Sequence, residues 1–184
     1  MPDVPVTATA LIDRLALQPH PEGGWYREIY RSRQRVQTSA GPRSALTDIY
    51  YLLERGQQSR WHVVDADEGW HFYAGAPLQL YLYDPAHAVL TLRLLAAPGV
   101  QREPSAEPSA EPAAVVPAGV WQAARCQGDF SFVGCSVAPG FQFSGFRLVA
   151  DLPDHARHFS AEPAAGQSLQ AQPSLSLQSL RELL

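Results

Sequence analysis

Lysine is absent from this 184-residue chain, and all fourteen basic side chains are arginine. That excludes a lysine Schiff base, a P-loop lysine and a lysine general base. Cysteine is scarce as well. Cys126 and Cys135 are the only two, too few for a disulfide framework or a cysteine-built zinc site. Charged residues make up 17% of the chain, below the usual share of roughly 25%. A net charge of −4 leaves no basic footprint for nucleic acid. No apolar run approaches the roughly 20 residues of a membrane-spanning helix. The N-terminal MPDVPVTATALIDRL lacks the basic flank and apolar stretch of a secretory signal. The expectation is a soluble, cytoplasmic protein with reduced thiols and neither nucleic-acid nor membrane partners.

What the chain does have is turn residues and short apolar runs. Sixteen prolines and thirteen glycines favour short strands over long helices. Residues 7–17 predict one short helix, with Leu11, Ile12 and Leu15 at helical spacing and Thr7 or Thr9 as its cap. From Gly23 the texture turns to strand. In WYREIYRSRQRVQ, regular alternation places Trp25, Arg27, Ile29 and Arg31 on one face, and Tyr26, Glu28 and Tyr30 on the other.

Strand-like segments then recur at 44–54, 59–64, 69–75, 77–84, 88–96, 114–126, 130–138 and 145–152. Many short strands with regular turns indicate an all-β sandwich or barrel. Between them, EPSAEPSAEPAA (103–114) is a Pro/Ala/Glu repeat read as an exposed inserted loop. The division expected is a lead-in at 1–22, a barrel at 23–152 and an extension at 153–184, whose last residues suggest a final helical turn. If Gln127-Gly128-Asp129 turns a hairpin, Cys126 and Cys135 lie about 15 Å apart, beyond disulfide reach.

One stretch stands out: GQQSRWHVVDADEGWHFYAG, residues 56–75. Gly56, His62, Glu68 and Gly75 have the spacing of the first cupin motif, with Val64 where the second ligand histidine would fall. Pro117-Ala118-Gly119 matches the centre of the second motif, with Gln122 at its histidine and Cys126 at its asparagine. The segments HPEGGWYREIYRS (20–32), 59–75, 115–125 and 133–146 together resemble a cupin family that carries an N-terminal HPEGG-(W/Y/F)-x-RE segment. The resemblance implies a jelly-roll (double-stranded β-helix) barrel and a homodimer. The family's reaction is not assigned.

A cupin metal site uses three histidines and a glutamate, a set suited to Fe, Mn, Ni or Zn. Here the mapped positions are His62, Val64, Glu68 and Gln122, so no cofactor is expected. A divalent metal, if held at all, would rest on His62, Glu68 and Gln122. Strand parity turns His71 outward when Glu68 points in.

Without a metal, His62 and Glu68 suit acid–base work, the carboxylate with its pKa raised by burial. Metal-free epimerases of the superfamily pair a histidine with a tyrosine. Tyr51, near the motif, is the candidate partner. Trp70 and Phe72, with Trp61 or Phe141, are candidates to line a ligand pocket. Arg27 is the arginine expected to hold an anionic group, with Arg31 to Arg35 forming a solvated strand end. The first reading is therefore an isomerase or epimerase acting on a small polar, sugar-like substrate. A non-catalytic small-molecule binder is the second, and a metal-dependent oxygenase the third.

Overall fold

A computed structural model describes residues 6–87, 89–98 and 109–151. The tail at 162–174, the final helical turn and the first half of the Pro/Ala/Glu repeat (103–108) lie outside them. The helix α1 spans Ala8–Leu15. Thr7 is its cap, its hydroxyl accepting from the Ala10 N–H at 3.2 Å. Ala16 ends it in the left-handed conformation, so the helix stops before Pro19 is reached. Leu11, Ile12 and Leu15 pack with Leu52, Phe130 and Phe132.

Strands follow in chain order: β1 (Gln18–Pro19), β2 (Trp25–Arg31), β3 (Arg35–Thr38), β4 (Gly41–Ser44), β5 (Thr47–Glu54), β6 (Gln58–Val64) and β7 (Asp67–Gly75). Then come β8 (Leu78–Asp84), β9 (Val89–Leu95), β10 (Ala110–Glu111), β11 (Ala113–Val116), β12 (Trp121–Cys126), β13 (Phe130–Ala138) and β14 (Phe146–Leu148). Two six-stranded sheets result, ordered β1-β2-β5-β13-β7-β11 and β10-β9-β8-β12-β6-β14, with β3–β4 as a separate hairpin. From β5 to β8, each strand lies in the opposite sheet from the one before it. That alternation is the jelly-roll expected from the sequence.

Strand alternation sorts the side chains of each sheet. On β6, Trp61 and Val63 pack with Tyr81, Leu92 and Trp121. Their neighbours His62 and Val64 face the cavity between the sheets. The inter-sheet core holds Tyr51, Leu53, Trp70, Leu80, Val133 and both cysteines.

Three expectations change. Gln127-Gly128-Asp129 does not turn a hairpin, because β12 and β13 belong to different sheets. Cys126 and Cys135 are nonetheless both free and buried. The end of the Pro/Ala/Glu repeat is not an exposed loop: Ala110 and Glu111 pair with β9, and Ala113 and Ala114 pair with β7. Small residues suit an edge strand that neither fills a core nor blocks one. Lastly, β2 does not alternate regularly, because its pairing with β5 shifts between Glu28 and Tyr30.

Candidate functional site

A cavity of about 330 Å³ opens between the two sheets. His62 of β6 and Glu68 of β7 both border it, joined by His20 and Glu22 from the turn before β2. His62, Glu68 and Glu22 are all buried.

The turn that delivers Glu22 is tightly specified. Gly23 N–H donates to the His20 carbonyl, and His20 N–H to that of Gly24, both at 3.0 Å. Gly23 and Gly24 have φ of +115° and +69°, a region open to glycine at little cost. A Cβ on Gly23 would strike the Gln58 carbonyl oxygen, and one on Gly24 the Leu52 carbonyl. The Tyr51 hydroxyl donates to the Gly23 carbonyl at 2.8 Å, and Arg60 N–H donates to the Glu22 carbonyl at 2.9 Å.

Glu22 sits among four side chains, the Tyr51 hydroxyl being one of them. Its Oε1 accepts from the Ser59 hydroxyl at 2.9 Å. Its Oε2 lies 3.3 Å from His62 Nε2 and 3.6 Å from His20 Nδ1. His62 Nδ1 lies 2.8 Å from the Arg60 carbonyl. A carbonyl only accepts, so Nδ1 carries a proton and donates there. His62 Nε2 is then the ring nitrogen that faces the Glu22 carboxylate. Burial pushes the His20 pKa down, with Glu22 opposing it and His62 adding to it.

Glu68 is the second ionisable centre. Burial raises its pKa from 4.5 to about 7. The nearby His62 offsets part of that rise, and Glu22 adds to it. Glu68 Oε2 accepts from Gln122 Nε2 at 2.6 Å, and Gln122 Oε1 accepts from the Trp70 indole N–H at 2.9 Å. The indole therefore fixes which way the Gln122 amide points. Cys135 also borders the cavity; burial and the Glu68 carboxylate push its thiol pKa well up.

Of the residues singled out from sequence, His62 and Glu68 border the cavity. Gln122, Trp70, Phe72 and Tyr51 do not. Gln122 and Trp70 stand behind Glu68, and Tyr51 stands behind the Glu22 turn. Phe72 packs in the inter-sheet core. Arg27 lies 5.7 Å over the Tyr50 ring, away from the cavity. The β2 irregularity instead puts Arg31 with Tyr26 and Glu28 on the cavity side. Arg31 binds Glu28 bidentately at 2.9 and 2.6 Å and donates to the Phe141 carbonyl at 3.2 Å. Phe141 lines the cavity and Trp61 does not. His71 is exposed, as parity predicts.

His20 and Glu22 were not singled out from sequence. Their signal was an ionisable residue wedged between Pro21 and two adjacent glycines. Only the close backbone approach of that turn reveals that it enters the barrel.

A jelly-roll whose first-motif histidine and glutamate face an inter-sheet cavity defines a cupin. The chain matches the model of the Cupin_5 family, described as cupin superfamily (DUF985), over residues 9–149. It belongs to that family. No curated protein matches it. A crystal structure of a protein from Shewanella oneidensis is 36% identical, covering 78% of this chain and 85% of that one, with a TM-score of 0.69. A hypothetical protein from Leishmania major is 33% identical, covering 77% and 86%, with a TM-score of 0.66. Oxalate decarboxylase from Bacillus subtilis is 11% identical, covers 90% of this chain and 36% of its own, and has a TM-score of 0.52. At that identity the likeness is one of fold alone.

The donors here do not fit the metal that a three-histidine cupin site would hold. Val64 replaces one ligand. Gln122 turns its amide nitrogen to Glu68 and its oxygen to Trp70. His62 Nε2 faces Glu22. Among the described residues no cluster of three or more His, Cys, Asp or Glu side chains has the geometry of a metal site.

Proposed function

We propose that this chain is a proton-transfer enzyme of the isomerase or epimerase type, working on a small polar molecule through its own side chains. The observation that carries the reading is the presence of two separate ionisable centres on one cavity. His62 Nε2 and the Glu22 carboxylate face each other at 3.3 Å, with His62 Nδ1 bonded to the Arg60 carbonyl. Glu68 ionises near pH 7. A group with that pKa is half ionised at neutral pH, the condition general base catalysis favours.

The step balances. The Glu68 carboxylate takes a proton from a carbon next to a carbonyl. The His62–Glu22 pair gives its proton to the carbonyl oxygen, forming an enol. Return of a proton to carbon, at another carbon or the opposite face, completes an isomerisation or epimerisation. A sugar or a hydroxy ketone falls within this chemistry. Tyr51 acts as a positioning residue, holding the turn that carries Glu22.

The homodimer belongs to the same proposal. Ile29 of β2, Tyr73 of β7 and Val115 of β11 are exposed apolar side chains on strands of one sheet; light scattering reads the mass. A cytoplasmic location is also retained.

The test is deuterium incorporation from D₂O into a panel of small carbonyl compounds, read by proton NMR. Incorporation above the buffer rate, rising with pH through about 7 and lost in His62→Asn, supports the reading. Binding of the same compounds without incorporation makes the chain a non-catalytic binder.

A further inference from the structure

The cavity has buried polar groups in Glu22, His62 and Glu68, and exposed ones in Gln18, Glu28, Arg31 and Gln142. At its mouth stands an aromatic cluster contributed by the segment 140–146. Phe141 and Phe143 have ring centroids 5.1 Å apart at 82°; Phe141 and Phe146 are 5.8 Å apart at 66°; Phe143 and Phe146 are 6.2 Å apart at 82°. All three border the cavity. Phe143 is 57% exposed. A large aromatic ring left open to water beside a cavity is apolar surface still to be covered.

The segment is held rather than loose. Gly140 N–H donates to the Ser44 carbonyl at 2.7 Å, and Phe141 N–H to the Thr47 hydroxyl at 2.8 Å. The buried Arg43 donates twice to the Gly140 carbonyl, at 3.0 and 2.8 Å. Asp65 N–H donates to the Gly145 carbonyl at 3.1 Å. Rings presented on a pinned backbone lose little freedom when a ligand arrives, so their contact area converts well into affinity.

The aromatic cluster meets the proton-transfer centre directly. The Phe146 ring lies 5.4 Å from the His62 ring, tilted by 34°. Val64, at a ligand position of the cupin motif, adds a branched apolar wall on the same strand as His62.

We infer that the substrate carries a flat apolar group, of aryl type, seated against Phe141, Phe143 and Phe146, with its reacting carbonyl at His62. The inference rests on the proton-transfer reading and narrows it. Of the polar groups near the rings, Arg31 and Glu28 are already bonded to each other, and Arg31 to the Phe141 carbonyl. Sugar hydroxyls against the three rings would find no partner in them, whereas an aryl group covers the rings and needs none.

The probes are acetophenone, acetone and D-fructose, titrated by saturation-transfer NMR against the full chain. Acetophenone is expected to bind at least roughly tenfold more tightly than either other probe, the scale on which apolar pockets discriminate. Phe143→Ala should weaken acetophenone roughly tenfold and leave acetone unchanged. Because Phe143 is exposed, the variant should keep the wild-type melting curve. Phe141→Ala serves as a second, independent variant. Fructose binding as tightly as acetophenone, no acetophenone binding at all, or a Phe143→Ala variant with unaltered acetophenone affinity would each overturn the inference. Deuterium incorporation separates the two claims. Selective acetophenone binding without incorporation keeps the aryl seat and removes the proton transfer. Incorporation into fructose without acetophenone binding does the reverse.

Discussion

His62 Nε2 stands 3.3 Å from Glu22 Oε2, while the Arg60 carbonyl takes the proton on Nδ1. The two residues are 40 positions apart and reach the same cavity from different elements: a glycine turn for Glu22 and strand β6 for His62. The Arg60 contact sets the histidine tautomer, and the carboxylate determines what the free nitrogen can do. In the proposed reaction this pair, and not His62 alone, gives the proton.

Glu68 ties stability to pH in an unusual direction. Its pKa rises from 4.5 to about 7 on folding. Between those values the unfolded chain has released a proton that the folded chain keeps. Stability from this group is therefore full below about pH 4.5 and is lost as pH rises through about 7, by up to about 3 kcal/mol. Glu68→Gln removes the effect. Urea unfolding at pH 5 and pH 8 should show the variant gaining on the wild type at the higher pH. Parallel pH dependences in the two proteins would contradict the raised pKa.

Gln122 has both ends of its amide committed, one to Glu68 and one to Trp70. Protein prepared without chelator should carry well under one equivalent of Fe, Mn, Ni or Zn by elemental analysis. Val64→His combined with Gln122→His restores the donor types that such metals take and should raise the metal content toward one equivalent. Stoichiometric metal in the unaltered protein would refute the hydrogen-bonded arrangement.

The glycine turn should be intolerant of side chains. Gly24→Ala meets both a positive φ and the Leu52 carbonyl, and should cost about 2 kcal/mol or more. Tyr51→Phe deletes the hydrogen bond to the Gly23 carbonyl together with the hydroxyl's contacts to Ser59 and Glu22, at about 1 kcal/mol. Deuterium incorporation in that variant should fall by about tenfold or less, since a positioning residue is removed and no proton carrier is lost. Complete loss of incorporation with unchanged stability would make Tyr51 the acid.

The fold was legible because motif spacing and strand parity are local properties. Gly56, His62, Glu68 and Gly75 keep their intervals, and His62 borders the cavity as expected, whereas Trp61, offered as a pocket residue, packs on the opposite face of β6. Parity failed at β2, where a single irregularity after Glu28 moves Arg31 to the cavity side and leaves Arg27 over Tyr50. Nothing in WYREIYR marks that irregularity. The repeat misled for a different reason. Its low apolar content is true, but Ala110–Glu111 and Ala113–Ala114 need only backbone pairing to hold a sheet edge. Glu22 was hidden because its burial depends on contacts with Ser59 and Arg60, far along the chain.

If His62 and Glu22 act as one unit, a double-mutant cycle on deuterium incorporation will show it. His62→Asn keeps a donor for the Arg60 carbonyl, and Glu22→Gln keeps an acceptor for Ser59. Each single variant should slow incorporation by roughly 10²–10⁴-fold, the usual worth of a general acid. The double variant should be no slower than the worse single, because groups that act together cannot be lost twice. Effects that multiply, or a Glu22→Gln variant that exchanges at the wild-type rate, would contradict that unit.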